Sequence, residues 1–204
     1  MASLVVTAGT SMSAHRRDEY LQAARIMIDP DRVQIELELT PGIAVVDGIV
    51  PAIDLDANGI IDTSEWRTYT QHVLEDLTLD IDGRPLRLAV VIEVTPTMAS
   101  MRDGEGAMRM NLMATLADLT DGPHRLHYRN THRSDIGVYL ANALVPTSDQ
   151  VRITSQHRDG EQHDLAIVYV LGTADASRRT MWLAMGAASV LFGVVTFWWN
   201  RSHA

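Results

Sequence analysis

Residues 54–65 carry oxygen atoms at a spacing that can enclose a hard divalent cation. The run reads Asp-Leu-Asp-Ala-Asn-Gly-Ile-Ile-Asp-Thr-Ser-Glu, with carboxylate or amide side chains at positions 1, 3, 5, 9 and 12. Calcium takes about six to eight oxygen ligands at roughly 2.3–2.6 Å in a tolerant geometry. The pattern therefore predicts a Ca²⁺ site with six ligand residues: Asp54, Asp56, Asn58, Ile60, Asp62 and Glu65.

Each predicted ligand has a distinct part in this site. The first three, Asp54, Asp56 and Asn58, offer one side-chain oxygen each, and Ile60 offers its backbone carbonyl. Asp62 binds directly or through a water, and Glu65 supplies both carboxylate oxygens. Gly59 takes a turn that a side chain would obstruct. The alternative interpretation is a surface turn without a metal, because Asp, Asn and Gly also form turns on their own.

The residues that flank this run predict one good helix and one poor one. Asp62 stands three residues before Glu65, as in a capping box, and an apolar series at helical spacing follows: Trp66, Tyr69, Val73, Leu74 and Leu77. On the preceding side, Ile49, Val50 and Ile53 form an apolar series that Gly48 and Pro51 interrupt.

Residues 54–65 resemble the loop of the EF-hand superfamily, apart from the interrupted segment before it. Two other acidic runs, Asp29-Pro30-Asp31 and Asp80-Ile81-Asp82-Gly83, begin like such a loop but lack a glutamate at position 12. Because EF-hand loops usually work in pairs, a single loop implies weak binding, with a Kd on the order of 10⁻⁴–10⁻³ M.

Composition bounds the class of protein. The chain has 204 residues, of which 46% are hydrophobic, enough for one packed domain with extensions. The net charge of −9 argues against a nucleic-acid partner, since no basic stripe is present to neutralise phosphates. The chain has no cysteine, which excludes disulfides, thiolate metal sites and a cysteine nucleophile.

Alternating apolar residues predict a mainly β domain over residues 15–172. Short strands with polar turns are expected in the ranges 20–28, 33–39, 77–81, 86–94, 108–116, 126–128, 138–145, 151–155 and 165–171, with a loop over 95–106. Residues 77–81 and 86–94 are expected to form a hairpin. We therefore expect an antiparallel β-sandwich into which the single EF-hand loop and its helix are inserted at about 42–77.

Both ends of the chain predict a membrane protein. Residues 1–14 resemble a signal peptide that lacks its basic start, or are a disordered tail. A polar linker over 173–179 leads to residues 180–199, which carry no charge and are long enough to span a bilayer as a helix, and a short tail over 200–204 follows. Tryptophans near both ends of the span suit the membrane interface. A cleaved signal places the β domain outside the bacterial inner membrane, in the periplasm, although the flanking arginines favour the opposite orientation.

Other polar residues predict little chemistry. Arg125, His127 and Arg129 alternate with apolar residues, as on a solvated strand face, and His124 and His127 fall on opposite faces. Cleavage after residue 14 would leave His15 at the N-terminus, where its amine and imidazole can chelate copper or nickel. No nucleophile elbow, P-loop or zinc-protease motif is present, so we expect a protein without catalysis.

A second resemblance covers most of residues 15–171. It rests on the segments beginning His15-Arg-Arg-Asp-Glu-Tyr-Leu-Gln, Leu37-Glu-Leu-Thr-Pro-Gly, His124-Arg-Leu-His-Tyr-Arg-Asn and Val138-Tyr-Leu-Ala-Asn-Ala-Leu-Val-Pro, together with the cation loop. They resemble an uncharacterised bacterial family of secreted β-rich domains, similar to those found ahead of HupE/UreJ-type, nickel permease-like membrane segments. The resemblance implies a membrane-anchored accessory or interaction domain, with nickel or copper handling beside a permease as the alternative.

Overall fold

The computed structural model of the chain describes residues 18–117 and 119–172, and these residues form mainly β-strands. In chain order the elements are β1 (Tyr20–Ile28), β2 (Arg32–Pro41), α1 (Val46–Ile53), α2 (Thr63–Glu75), β3 (Leu77–Ile81), β4 (Arg84–Pro85), β5 (Ala89–Val94), α3 (Met98–Arg102), β6 (Met108–Thr115), β7 (Gly122–Asn130), β8 (Gly137–Ala143), β9 (Val151–Arg158) and β10 (Asp164–Leu171). The prediction of a mainly β domain is confirmed.

The strands form two five-stranded sheets. Sheet A has the order β5-β6-β2-β1-β8, and sheet B has the order β4-β3-β7-β10-β9. All neighbouring pairs are antiparallel except β1 and β8, which run parallel with Tyr20 opposite Gly137 and Ile26 opposite Ala143. The all-antiparallel expectation is wrong at this pair because alternation has a period of two in either strand direction and carries no information on it.

Both sheets and the first two helices contribute to one hydrophobic core. On β2 the apolar series Val33, Ile35, Leu37 and Leu39 is at most 1% exposed, as its alternation predicted. Leu126 of β7 and Ile167 of β10 enter the same cluster from sheet B. The connection from β2 to β3 runs through α1 and α2, so the cation loop lies between two helices that this core anchors.

Two local predictions are wrong. Within the expected return strand over 86–94 only β5 is a strand, and it crosses to the edge of sheet A beside β6, while the pairing with β3 is made by β4, which precedes this range. The expected loop over 95–106 contains the short helix α3, which begins after Thr97 because its side chain accepts a hydrogen bond from the Ser100 amide. Both predictions rested on short sequence patterns. The sheet that β5 joins depends instead on strands that are distant in sequence.

The predicted signal segment, linker, membrane span and short tail, and also His15, lie outside the described residues. Among residues 18–117 and 119–172, no helix combines the length and the apolar character needed to cross a bilayer.

Candidate metal site

Two helices hold the loop at its ends. The segment before the loop is a regular helix, α1, although the sequence predicted a poor one because of Pro51. The helix tolerates Pro51 because its first five residues place Val46, Ile49 and Val50 in the core, and only the carbonyl of Asp47 loses a partner to the missing N–H. The Asp54 amide then donates to the Val50 carbonyl at 2.8 Å and ends α1 at the first predicted ligand.

The capping box predicted for α2 is present. An Asp62 carboxylate oxygen accepts hydrogen bonds from the amides of Ser64 at 2.7 Å and Glu65 at 2.9 Å. In return the Glu65 carboxylate accepts from the Asp62 amide at 3.0 Å. This reciprocal arrangement satisfies the first free amides of α2, which fixes both the start of the helix and the last position of the loop.

Three of the four predicted carboxylate ligands converge. Asp54, Asp56 and Glu65 each present an oxygen, and these oxygens all lie within 4.8 Å of one another. Asp54 and Glu65 are buried, at 7% and 6% exposure, whereas Asp56 is exposed. In the part of the chain that the structure describes, this is the cluster of three or more acidic or histidine side chains whose spacing suits a metal ion.

Backbone amides of the loop hold the two buried carboxylates in place. Glu65 Oε1 accepts from the amides of Leu55 at 2.7 Å and Asp56 at 3.2 Å. The two oxygens of Asp54 accept from the amides of Asn58 at 3.1 Å and Gly59 at 2.9 Å. The loop is therefore wound around its own acidic side chains, and each buried charge is compensated by hydrogen bonds from N–H groups.

The other predicted ligands lie around this cluster. The Asn58 amide group donates to Asp56 at 2.7 Å, and its oxygen accepts from the Ile60 amide at 2.7 Å. The Ile60 side chain is aliphatic and 68% exposed, so only the backbone carbonyl of this residue can act as a ligand. The Asp62 carboxylate is directed at the start of α2 and does not join the converging oxygens.

Gly59 takes a left-handed conformation, with a φ of 80°. A Cβ built on it would meet nothing within 4 Å, so the expectation that a side chain would obstruct the turn is wrong. The left-handed backbone itself favours glycine. Ala57 has a φ of 57°, and this strained conformation sharpens the turn that brings Asn58 back over Asp56.

The cluster is strongly negative, and no cationic side chain among the described residues is paired with it. None of the ion pairs formed among the described residues involves Asp54, Asp56 or Glu65. Three carboxylates this close repel one another when ionised, and a divalent cation among them would relieve that repulsion. The positive N-terminal end of α2 adds to the stabilisation of Glu65.

The histidines divide as the strand pattern predicted. His124 lies on the buried face of β7 and His127 on the opposite face. Each ring is paired with carboxylates. His124 Nδ1 lies 2.7 Å from a carboxylate oxygen of Asp82. The two ring nitrogens of His127 lie 3.3 Å from Asp80 and 2.9 Å from Asp164. Burial alone would lower the pKa of His124, but its hydrogen bonds to Asp82 and to the Thr120 carbonyl raise it.

Sequence reasoning missed the role of His132. His132 lies in a turn together with Ser134 and Asp135. Its ring is nevertheless buried and hydrogen-bonded to Tyr69 of α2. No local motif predicts this contact, because Tyr69 and His132 are 63 positions apart in the sequence.

A separate groove of about 620 Å³ lies on the outer face of sheet A. Leu21, Val138 and Leu140 form its apolar part, and Glu38 and Arg109 at its side are paired with each other at 2.9 Å. None of the predicted cation ligands lines it, so the cation loop and this groove are distinct features of the surface.

No protein-family model, no curated protein and no solved structure matches this chain.

Proposed function

We propose that the protein binds one Ca²⁺ ion in the loop 54–65 and serves as an extracytoplasmic accessory or interaction domain without catalysis. The observation that carries this proposal is the convergence of Asp54, Asp56 and Glu65 within 4.8 Å between two helices. Asn58, the Ile60 carbonyl and Asp62, directly or through a water, would complete the shell. All of these donors are oxygen atoms, which favours Ca²⁺ or Mg²⁺ over transition metals.

Ca²⁺ suits this loop better than Mg²⁺. Mg²⁺ requires near-ideal octahedral geometry and gives up water reluctantly, whereas Ca²⁺ accepts more ligands and irregular angles. The donors here include a carboxylate at the end of a helix, a backbone carbonyl and the exposed carboxylate of Asp56. A set of this kind adapts to a large ion more easily than to a small one. Weak affinity, as expected for a single loop, suits a compartment with millimolar Ca²⁺.

The proposed attachment to the bacterial inner membrane rests on residues 180–199. Their length without a charge and their terminal tryptophans support a single C-terminal span. In this arrangement Ca²⁺ would stabilise the domain or order a surface for a partner such as a permease. The alternative, nickel or copper handling beside a permease, rests on His15 and predicts binding of those metals that His15→Ala removes.

A thermal melt of the full-length chain tests the proposal. With Ca²⁺ at about ten times a Kd of roughly 1 mM, binding to the folded state adds about 1.4 kcal/mol. For a chain of this size the melting temperature should rise by roughly 3–6 °C relative to chelator. Asp54→Asn should remove the rise. Asp31→Asn is the matched control, because Asp31 is an exposed aspartate in an acidic turn that lacks the terminal glutamate.

Terbium luminescence gives a second, local readout. Trp66 is buried directly after Glu65 in α2, so its indole can transfer energy to Tb³⁺ held in the loop. Sensitised emission should appear on adding Tb³⁺ and should decrease when Ca²⁺ competes. Trp66→Phe should remove the emission while the Ca²⁺-induced thermal shift persists. No thermal shift at millimolar Ca²⁺ together with no Tb³⁺ emission refutes the site.

A further inference from the structure

Four side chains form a hydrogen-bond chain that ties α2 to sheet A. The hydroxyls of Tyr20 on β1 and Tyr69 on α2 lie 2.6 Å apart, and the Tyr69 hydroxyl lies 3.0 Å from His132 Nε2. His132 Nδ1 lies 2.8 Å from a carboxylate oxygen of Asp76, the residue that ends α2. Tyr20, Tyr69 and His132 are at most 4% exposed, and Asp76 alone reaches solvent.

The chain has one consistent arrangement of protons when His132 is neutral. The ionised Asp76 carboxylate can only accept, so the His132 proton sits on Nδ1 and is donated to it. Nε2 then accepts the hydroxyl proton of Tyr69, and Tyr69 accepts that of Tyr20. Every donor in the chain has an acceptor, as a buried polar network requires.

Protonation of His132 reverses this order. Nε2 becomes a donor, so the Tyr69 oxygen must accept from it and the Tyr69 proton must turn to Tyr20. The Tyr20 hydroxyl proton then has no acceptor among the described residues, and its side chain is 0% exposed. A buried donor without a partner destabilises the arrangement that contains it.

Burial and the positive charges around the ring together outweigh the Asp76 carboxylate and oppose protonation. Burial lowers the pKa of His132, the hydrogen bond to Asp76 acts against this, and the positive charges of Arg133 and His72 lower the pKa further. Asp135 is the other carboxylate nearby, and its charge is directed at Arg133, whose guanidinium it meets at 3.0 Å. The neutral ring is therefore the state that the folded protein favours.

The backbone at His132 is fixed, so the contact between Tyr20 and Tyr69 is the one that must change. Its carbonyl accepts from Gln22 Nε2 at 2.6 Å and from the Tyr139 hydroxyl at 2.7 Å, and its amide donates to the Asn130 side chain at 2.9 Å. On α2, Tyr69 follows Glu65 by four residues, so the two occupy the same helix face one turn apart. A shift of α2 relative to β1 would therefore move Glu65 together with Tyr69.

We propose that the chain Tyr20–Tyr69–His132–Asp76 is a proton-sensitive latch. Neutral His132 holds the first turns of α2 against β1. Protonated His132 leaves the Tyr20 hydroxyl unpaired and so loosens the contact of β1 with α2, and the resulting shift of α2 moves Glu65, so that acidification weakens cation binding at the loop 54–65. The coupling to the cation rests on the proposed function, whereas the latch itself does not.

The latch is tested on the full-length chain in chelator. Nuclear magnetic resonance of the His132 ring, together with urea unfolding between about pH 5 and pH 8, follows its protonation and the stability it controls. Asp76→Asn keeps an acceptor for Nδ1–H but removes the charge that favours the protonated ring, so it should shift the His132 titration to lower pH. Glu75→Gln makes the same charge change on the preceding residue, which is not part of the hydrogen-bond chain. It should leave the pH of the His132 titration unchanged.

His132→Gln removes the titrating group and should abolish the part of the acid-induced loss of stability that this histidine causes. Should this variant not fold, the Asp76→Asn and Glu75→Gln titrations decide the question alone. Equal titrations in these two variants, or tyrosine ring signals that do not change as His132 is protonated, overturn the latch.

The coupling is tested by titrating Tb³⁺ and Ca²⁺ at about pH 5.5 and pH 7.5, above the ordinary range of carboxylates. Wild type should lose affinity several-fold at the lower pH, and His132→Gln should not. Equal pH dependence in both proteins overturns the coupling. An absence of binding at every pH refutes the cation site and the coupling with it, while the titrations in chelator still decide the latch.

Discussion

Glu65 is expected to stabilise the fold as well as the cation, and a pair of substitutions separates the two effects. In Glu65→Gln the amide oxygen can satisfy either the amides of Leu55 and Asp56 or that of Asp62, but its NH₂ group cannot accept from the other side. Because Glu65 is only 6% exposed, water cannot fully replace the hydrogen bond that the unpaired backbone N–H loses. The lost charge-assisted bond and the unpaired donor should together cost about 2 kcal/mol.

Asp56→Ala provides the comparison. Asp56 is exposed, and the Asn58 amide that it accepts from is also held by Asp54 at 3.1 Å. Each substitution removes one of three converging charges, so both variants gain relief from the mutual repulsion of the carboxylates. Glu65→Gln should therefore be about 2 kcal/mol less stable than Asp56→Ala in chelator, and its melting temperature should be lower by roughly 4–8 °C.

Urea unfolding of both full-length variants in chelator and in millimolar Ca²⁺ measures these differences. Both variants should lose the stabilisation that Ca²⁺ gives to wild type. In chelator, only Glu65→Gln should have a markedly lower unfolding free energy. Equal stability of the two variants in chelator would contradict the structural role assigned to Glu65. A wild-type response to Ca²⁺ in either variant would contradict its role as a ligand.

Three further predictions concern a histidine on β7, the helix before the loop and the loop itself. The raised pKa of His124 means that its pairing stabilises the fold below about pH 6.5 and is lost as pH rises through the folded pKa, so His124→Gln should destabilise more at acidic than at alkaline pH in urea titrations. Ile49→Ala removes a 0% exposed side chain of α1 and should lower the unfolding free energy by about 2–4 kcal/mol. Ile60→Ala, at 68% exposure, should change both stability and Ca²⁺ affinity little, which calorimetry can verify.

The opposite shifts of two histidines give a distinctive pH profile. The lowered pKa of His132 means that its stabilising contribution is complete above about pH 6.5 and is lost as pH falls through the folded pKa. His124 contributes in the opposite direction. The difference in unfolding free energy between His124→Gln and His132→Gln should therefore change systematically with pH. Two parallel profiles of unfolding free energy against pH would contradict the assigned hydrogen-bond partners.

Local patterns predicted most of the strands and the start of α2. Alternation identified the buried face of β2, and the spacing of Asp62 and Glu65 identified the capping box, because both depend on residues close in sequence. The preceding helix α1 was underestimated because its stability comes from packing of Ile49 and Ile53 into the core, which outweighs the effect of Pro51.

Distant contacts could not be predicted from the sequence. The crossing of β5 to sheet A and the parallel pairing of β1 with β8 depend on which strands meet in space. The contact between Tyr69 and His132 likewise joins two chain segments that no motif connects. Within the loop, the sequence predicted six ligand residues, but their spacing could not show that three carboxylates converge while Asp62 is directed at the start of α2.

A crystal structure of the full-length protein grown with Ca²⁺ tests the central claim most directly. The account predicts one anomalous difference peak in the loop 54–65, at roughly 2.3–2.6 Å from oxygens of Asp54, Asp56 and Glu65, and at similar distances from Asn58 and the Ile60 carbonyl. A well-ordered loop in millimolar Ca²⁺ without such a peak, its carboxylates still bound only to backbone amides, would contradict it.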